Sequence, residues 1–147
     1  MKYGVVPTST LPWPLNPFKC KLRDDLYREH PLFADELDSD ERQEAFALFR
    51  KGRQATDCVS AGCPYQEPLL LGAATLAVEL FESGVNCESR YDVEDALPGE
   101  PEEWIGTILS FFGSTAIRLT DGQLQNGQHR ACGLKVAGVE RCVVSTG

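Results

Sequence analysis

With 147 residues, 42% of them hydrophobic and Trp and Phe among them, the chain is long enough for one domain with a real core and too short for two comfortable ones. Its net charge of −8 argues against a protein that coats nucleic acid. No stretch approaches the roughly 20 apolar residues of a membrane span, and Met1-Lys2-Tyr3-Gly4-Val5 lacks a signal-peptide apolar region, so a cytoplasmic protein without membrane contact is expected.

The charge is uneven along the chain. Residues 1–23 carry Lys2, Lys19, Lys21 and Arg23 and no acid, and residues 114–147 set Arg118, Arg130, Lys135 and Arg141 against Asp121 and Glu140. The acids are concentrated between them. If the two ends meet, they form a basic face on an acidic body, able to draw in a phosphate ligand or DNA; ordinary solvated surface charge explains the same pattern equally well.

Four prolines between residues 5 and 17 predict an extended arm, pinned by Trp13 and Leu15. Pro31 breaks any long helix across residues 22–37. Asp38-Ser39-Asp40-Glu41 reads as a helix start capped by Ser39 or Asp40, and Ala45, Phe46, Leu48 and Phe49 give that helix its buried face before Gly52 ends it. Arg50, Lys51 and Arg53 at its end suit either a phosphate contact or the negative pole of the helix. Residues 56–68 read as a loop. Residues 69–82 are apolar nearly all round and predict a central buried helix stopped at Gly84. Residues 86–100 read as an acidic loop in which Asp92, Glu94 and Asp95 could hold magnesium or simply be solvated. Pro101-Glu102-Glu103 starts a further helix, buried through Trp104, Ile105, Ile108 and Phe112, and Gly113 stops it.

Six cysteines without an export signal predict free thiols. Cys58 and Cys63 are the one close pair, and with Cys87 and either Cys20 or His30 they could complete a four-ligand set for zinc or an iron–sulfur cluster. Unligated thiols or a single loop disulfide are the alternatives.

The richest stretch is residues 115–146. Alternation at residues 117–119 and 123–125 predicts two short strands around an Asp121-Gly122 hairpin turn. A helix from Arg130 onward, ended by Gly138, and a last strand over residues 141–145 follow. Between strand and helix lies Gly127-Gln128-His129-Arg130, which gathers backbone N–H groups, an imidazole and a guanidinium at a helix N-terminus, where phosphate is well held. Arg130 can clamp phosphate oxygens, and His129 can donate to phosphate or act as a general base. The bland alternative is a capped helix whose His129 and Arg130 only satisfy carbonyls.

This order of elements, with Asn126-Gly127-Gln128-His129-Arg130 at its centre, resembles the core of the ParB/sulfiredoxin superfamily. It is similar to the Asp-Gly-Gln-His-Arg variant in ParB-like domains of plasmid, phage and DNA-modification loci. Asn16-Pro17 followed by Arg23 is faintly similar to the Asn-Pro box of ParB domains. The resemblance covers about a quarter of the chain and implies an α+β fold: a small mixed sheet packed with several helices, with a helical insertion before a C-terminal β-β-α-β core. A single domain over residues 1–147 is expected, divided into a basic arm (1–23), an acidic, mostly helical part (24–100) and a motif-bearing core (101–147).

The resemblance also implies a nucleotide with magnesium, its phosphate at Gly127 and Arg130, with Gln128 and His129 beside it and His129 and Arg130 as the catalytic pair of any phosphotransferase or NTPase. Histidine at position 129 favours the ATP-using branches over the CTP-dependent DNA clamps. Gln128 stands where sulfiredoxin has its cysteine, which argues against sulfinic-acid reduction, and Cys132 replaces a further clamp arginine. Asn126 removes the usual aspartate. Any base must then come from elsewhere, with Asp24, Asp25 and Glu29 as candidates. The competing class is a non-catalytic interaction protein that uses the fold as a scaffold for a protein or DNA partner.

Overall fold

The computed structural model describes residues 2–33 and 35–146. Among these it contains four strands, β1 (Tyr3–Pro7), β2 (Arg118–Thr120), β3 (Gln123–Asn126) and β4 (Arg141–Ser145). The helices are α1 (Arg23–Glu29), α2 (Ser39–Lys51), α3 (Ala55–Ser60), α4 (Pro68–Glu82), α5 (Arg90–Ala96), α6 (Glu102–Leu109) and α7 (Gln128–Val136). The strands form one mixed sheet in the order β1-β4-β2-β3: β4 is antiparallel to β1 and parallel to β2, and β2 and β3 form a hairpin. The architecture is α+β, and the expected β-β-α-β order stands as β2-β3-α7-β4.

Local chemistry explains these elements. Asp121 (φ 51°) and Gly122 (φ 76°) both take the left-handed conformation that a tight hairpin turn of this hand requires. The C-terminus of α7 is closed by the Val139 amide on the Leu134 carbonyl (3.0 Å) and the Gly138 amide on that of Lys135 (3.1 Å). In β4, Cys142, Val143, Val144 and Ser145 are all buried, as suits a strand with neighbours on both sides and α4 packed on it.

Several elements differ from expectation. Tyr3–Pro7, expected as part of an arm, is an edge strand whose Val5 pairs with Val143 and whose Pro7 ends the ladder opposite Arg141. The cap of α2 is Asp38, not Ser39 or Asp40: its carboxylate accepts the Glu41 amide at 2.8 Å while Glu41 reaches back to the Asp38 amide, and Gln43, the equivalent partner for Asp40, is engaged by the Trp13 backbone. The loops expected at 56–68 and 86–100 contain α3 and α5, each too short for periodicity to betray it and each anchored by one buried residue, Cys58 or Val93. On α4 the buried positions are Ala73, Ala74, Ala77, Val78 and Leu80, while Leu69, Leu70 and Leu71 are only half-buried.

Two apolar clusters result. The larger joins β4, α4, α6 and α7 through residues such as Val143, Ala77, Ile108 and Leu134. The smaller is Leu26, Phe33, Ala45, Phe46 and Phe49, contributed by α1, α2 and the turn between them. Trp13 stacks on Phe46 (5.5 Å between centroids, 25°), and the Lys135 ammonium lies 3.8 Å from the centroid of the Trp13 ring. The arm is thus laid across α2 and α7, which brings residues 16–19 to the motif.

Candidate functional site

β3 runs into Gly127, which caps α7 in the left-handed conformation (φ 80°, ψ 24°). A Cβ there would stand 2.9 Å from Ile117 Cγ1 and 3.1 Å from Ile117 Cα, so position 127 needs glycine both for its backbone and for its close approach to the segment entering β2. The first intrahelical bond runs from the Ala131 amide to the Gly127 carbonyl (2.9 Å). The amides of Gln128, His129 and Arg130 therefore precede it, at the positive end of the helix, and among the described residues no side chain accepts a hydrogen bond from them.

A cleft of about 350 Å³ opens at this end. Gln125 through Arg130 form one wall; Asn16, Phe18 and Lys19 of the arm, with Tyr65, form the other. The two basic ends of the sequence do meet: Tyr3 pairs with Ser145, and Lys19 acts electrostatically on His129. Arg141 turns instead to Glu82 at 2.8 Å and Lys135 lies over the Trp13 ring, and neither lines the cleft.

Within the motif the side chains have distinct tasks. Gln128 Oε1 accepts the Leu15 amide at 2.9 Å and tethers the arm to α7. His129 stacks against Tyr65 (5.7 Å, 23°). Burial, and secondarily the Lys19 ammonium, hold its imidazole below the usual histidine range, against the pull of a hydrogen bond with the Asn16 backbone. At neutral pH His129 is therefore uncharged, and Lys19 is the exposed cation of the cleft. Arg130 donates to the Ser110 carbonyl at 3.0 Å and to the Thr115 carbonyl, and its guanidinium lies 5.4 Å from the centroid of the Phe111 ring. It braces the C-terminal end of α6 against α7. Asn126 Nδ2 donates to the Ala116 carbonyl at 2.9 Å, a structural role in place of a carboxylate.

The other residues named from the sequence lie apart from this cleft. Asp25 pairs with Arg28 at 2.8 Å and Glu29 with Arg53, while Asp24 borders an adjoining cleft with Lys21 and Arg23. Asp92, Glu94 and Asp95 are on α5, where Glu94 and Glu102 share Arg90. The described residues that line the motif cleft include no carboxylate, so they do not fit a protein-held magnesium ion. Of the basic trio after α2, Arg53 stacks on Phe49 (3.8 Å) and donates to the Phe49 carbonyl, and Arg50 is buried.

The cysteines also divide. Cys87 lies in the larger core, far from the predicted set, its thiol pushed up to about 11 by burial. His30 does not join Cys58 and Cys63 either. Those two share a small cavity with Cys20 and Cys132. The six cysteines form no disulfide, and no three His, Cys, Asp or Glu side chains stand together at ligand geometry among the described residues.

The sequence offers Lys19 as one of the cations of the basic N-terminal end, but neither Phe18 nor Tyr65; the Asn16-Pro17 pair lies just ahead of Phe18 and Lys19.

The lowered His129 pKa has a consequence for stability. A base whose folded pKa lies below its unfolded value costs nothing above about pH 6.5, the ordinary histidine pKa, and destabilises the fold as pH falls through the folded value. His129→Gln is expected to remove that part of the acid destabilisation. Urea midpoints at pH 7.5 and 5.0 check this: the variant should lose less than the wild type, and an equal loss contradicts the assignment.

No helix among the described residues is long and apolar enough to cross a membrane. Comparison with family models, with curated proteins and with solved structures finds no match for this chain.

Proposed function

We propose that the chain is a cytoplasmic, ParB-like nucleotide- or phosphate-binding protein whose ligand sits in the cleft at the N-terminus of α7. The observation that carries this reading is the convergence, on one cleft, of a glycine-capped helix N-terminus, the Lys19 ammonium and two aromatic rings, Phe18 and Tyr65. A phosphate meets open amides and a cation there, and a base has apolar faces to lie on. Histidine at 129, through the resemblance, favours ATP over CTP. Magnesium, where present, enters on the nucleotide's own phosphates.

Binding is better supported than turnover. Gln128 and Arg130 are both engaged in holding the arm and α6, which also favours the second reading, a scaffold for a protein or DNA partner. An ATP-using phosphotransferase or NTPase of plasmid, phage or DNA-modification systems would need a base brought in by a partner or by movement of Asp24.

A thermal-shift screen with ATP, ADP, CTP and GTP, each with magnesium, separates the readings. One nucleotide should stabilise the wild type, and Lys19→Ala should weaken that binding about 10-fold, the worth of one charge-assisted contact, with little change in the ligand-free melting temperature. Absence of any shift with all four favours the scaffold.

A further inference from the structure

The second small cavity of interest lies behind the cleft, between the arm, α3 and α7. Its wall includes Cys20, Cys58, Cys63 and Cys132, four of the six cysteines of the chain, drawn from segments far apart in sequence. Beside them is Arg50, only 7% exposed. Its guanidinium donates to Cys58 Sγ at 3.1 Å, and among the described residues no carboxylate is in ion-pair range of it. A buried cation facing a thiol sulfur, a weak acceptor, is costly to keep. Such an arrangement becomes favourable when the sulfurs carry negative charge.

We propose that Cys20, Cys58, Cys63 and Cys132 form a structural site for one thiophilic divalent cation, zinc, with Arg50 as its electrostatic counterpart. Binding releases the protons of the four thiols and leaves a dinegative tetrathiolate centre beside a fixed cation. The size of the space selects among guests. About 20 Å³ is close to the room one water needs, enough for a single ion and too little for a cluster of several irons. The sulfurs must close on the ion, because they do not stand at ligand geometry in this conformation. Cys20 lies in the irregular arm and Cys63 in the turn ahead of Pro64–Gln66, the segments best able to adjust, while Cys58 and Cys132 are fixed on α3 and α7. The neighbouring positions give the site a purpose. Cys20 follows Lys19, Cys63 precedes Tyr65 by one intervening residue, and Cys132 is one helical turn from His129, so an ion here would hold both walls of the ligand cleft in register.

The test is elemental analysis of the full chain, purified under reducing conditions from zinc-supplemented cells, followed by cobalt(II) titration of the metal-free protein. The expected result is about one zinc per chain, and on cobalt an intense thiolate charge-transfer band with the visible bands of a tetrahedral site. Cys58→Ser and Cys132→Ser should abolish or shift these bands, and Cys87→Ser and Cys142→Ser should leave them unchanged. Should the first two variants fail to fold, the cobalt spectrum of the wild type still decides whether four thiolates bind. Lack of both bound zinc and the cobalt bands overturns the proposal, as do bands left unchanged in Cys132→Ser. Iron with inorganic sulfide overturns the single-ion assignment.

Discussion

Gly133→Ala is expected to destabilise the protein by about 3 kcal/mol, the upper end of ordinary overpacking costs, and to lower the melting temperature by roughly 10 °C for a chain of this length. In the middle of a helix the same substitution would ordinarily stabilise, by up to about 1 kcal/mol. Here the space decides the sign. An alanine Cβ at position 133 would lie 2.4 Å from the Tyr65 carbonyl oxygen, 2.7 Å from Tyr65 Cβ and 3.1 Å from Tyr65 C. Most of these are backbone atoms, which no rotamer change removes. The turn is held at that distance by Gln66, whose buried amide donates to the Gly133 carbonyl at 2.7 Å. Moving it would break that bond and shift Tyr65 in the cleft. Thermal and urea unfolding check the prediction, and an unchanged or raised midpoint would show that the turn does not pack on α7 as described.

Arg130→Ala is expected to cost about 2 kcal/mol, because it removes the donor of the Thr115 carbonyl and one of the two donors of the Ser110 carbonyl, which keeps the Thr115 hydroxyl at 2.9 Å, at roughly 1–3 kcal/mol for a carbonyl left dry. It also removes the contact with Phe111. Arg130→Lys, with one ammonium for two divergent carbonyls, should recover only part of that loss. Equilibrium denaturation of the two variants distinguishes this role from a pure ligand clamp, for which both would be as stable as the wild type without ligand. The same argument explains why Lys19, exposed on the arm, is the cleaner probe of binding: its loss removes a charge from the cleft without removing a brace from the fold.

The last third of the chain was the most legible part. Its strands are short but separated by Asp121-Gly122 and its last strand follows Gly138, although α7 begins at Gln128 and not at the expected Arg130, because Gly127 caps it in the left-handed conformation. Turn chemistry of this kind acts through nearest neighbours and is visible in sequence. The N-terminal strand was not, since its pairing with β4 spans almost the whole chain and its half-buried residues show no alternation. Within the site, the motif backbone was foreseen, but the engagements of Gln128 with Leu15 and of Arg130 with Ser110 were not. Both depend on what tertiary packing places opposite a side chain. The same holds for the thiols: spacing picks out Cys58 and Cys63 and leaves Cys20 and His30 as alternatives, whereas Cys132 joins Cys20, Cys58 and Cys63 because the arm crosses α7. Cys87, close in sequence, is carried into the other core by the turn after α4.

A phosphate-bearing ligand bound as proposed would rest on the amides at the start of α7. Amide chemical shifts of the uniformly labelled chain, followed during titration with ATP and, separately, with inorganic phosphate, test it most directly. The largest shifts are expected on Gly127, Gln128, His129 and Arg130, with Lys19 and Tyr65 moving in the ATP titration. Saturating ATP that leaves these amides in place, or shifts that cluster elsewhere on the surface, would contradict it.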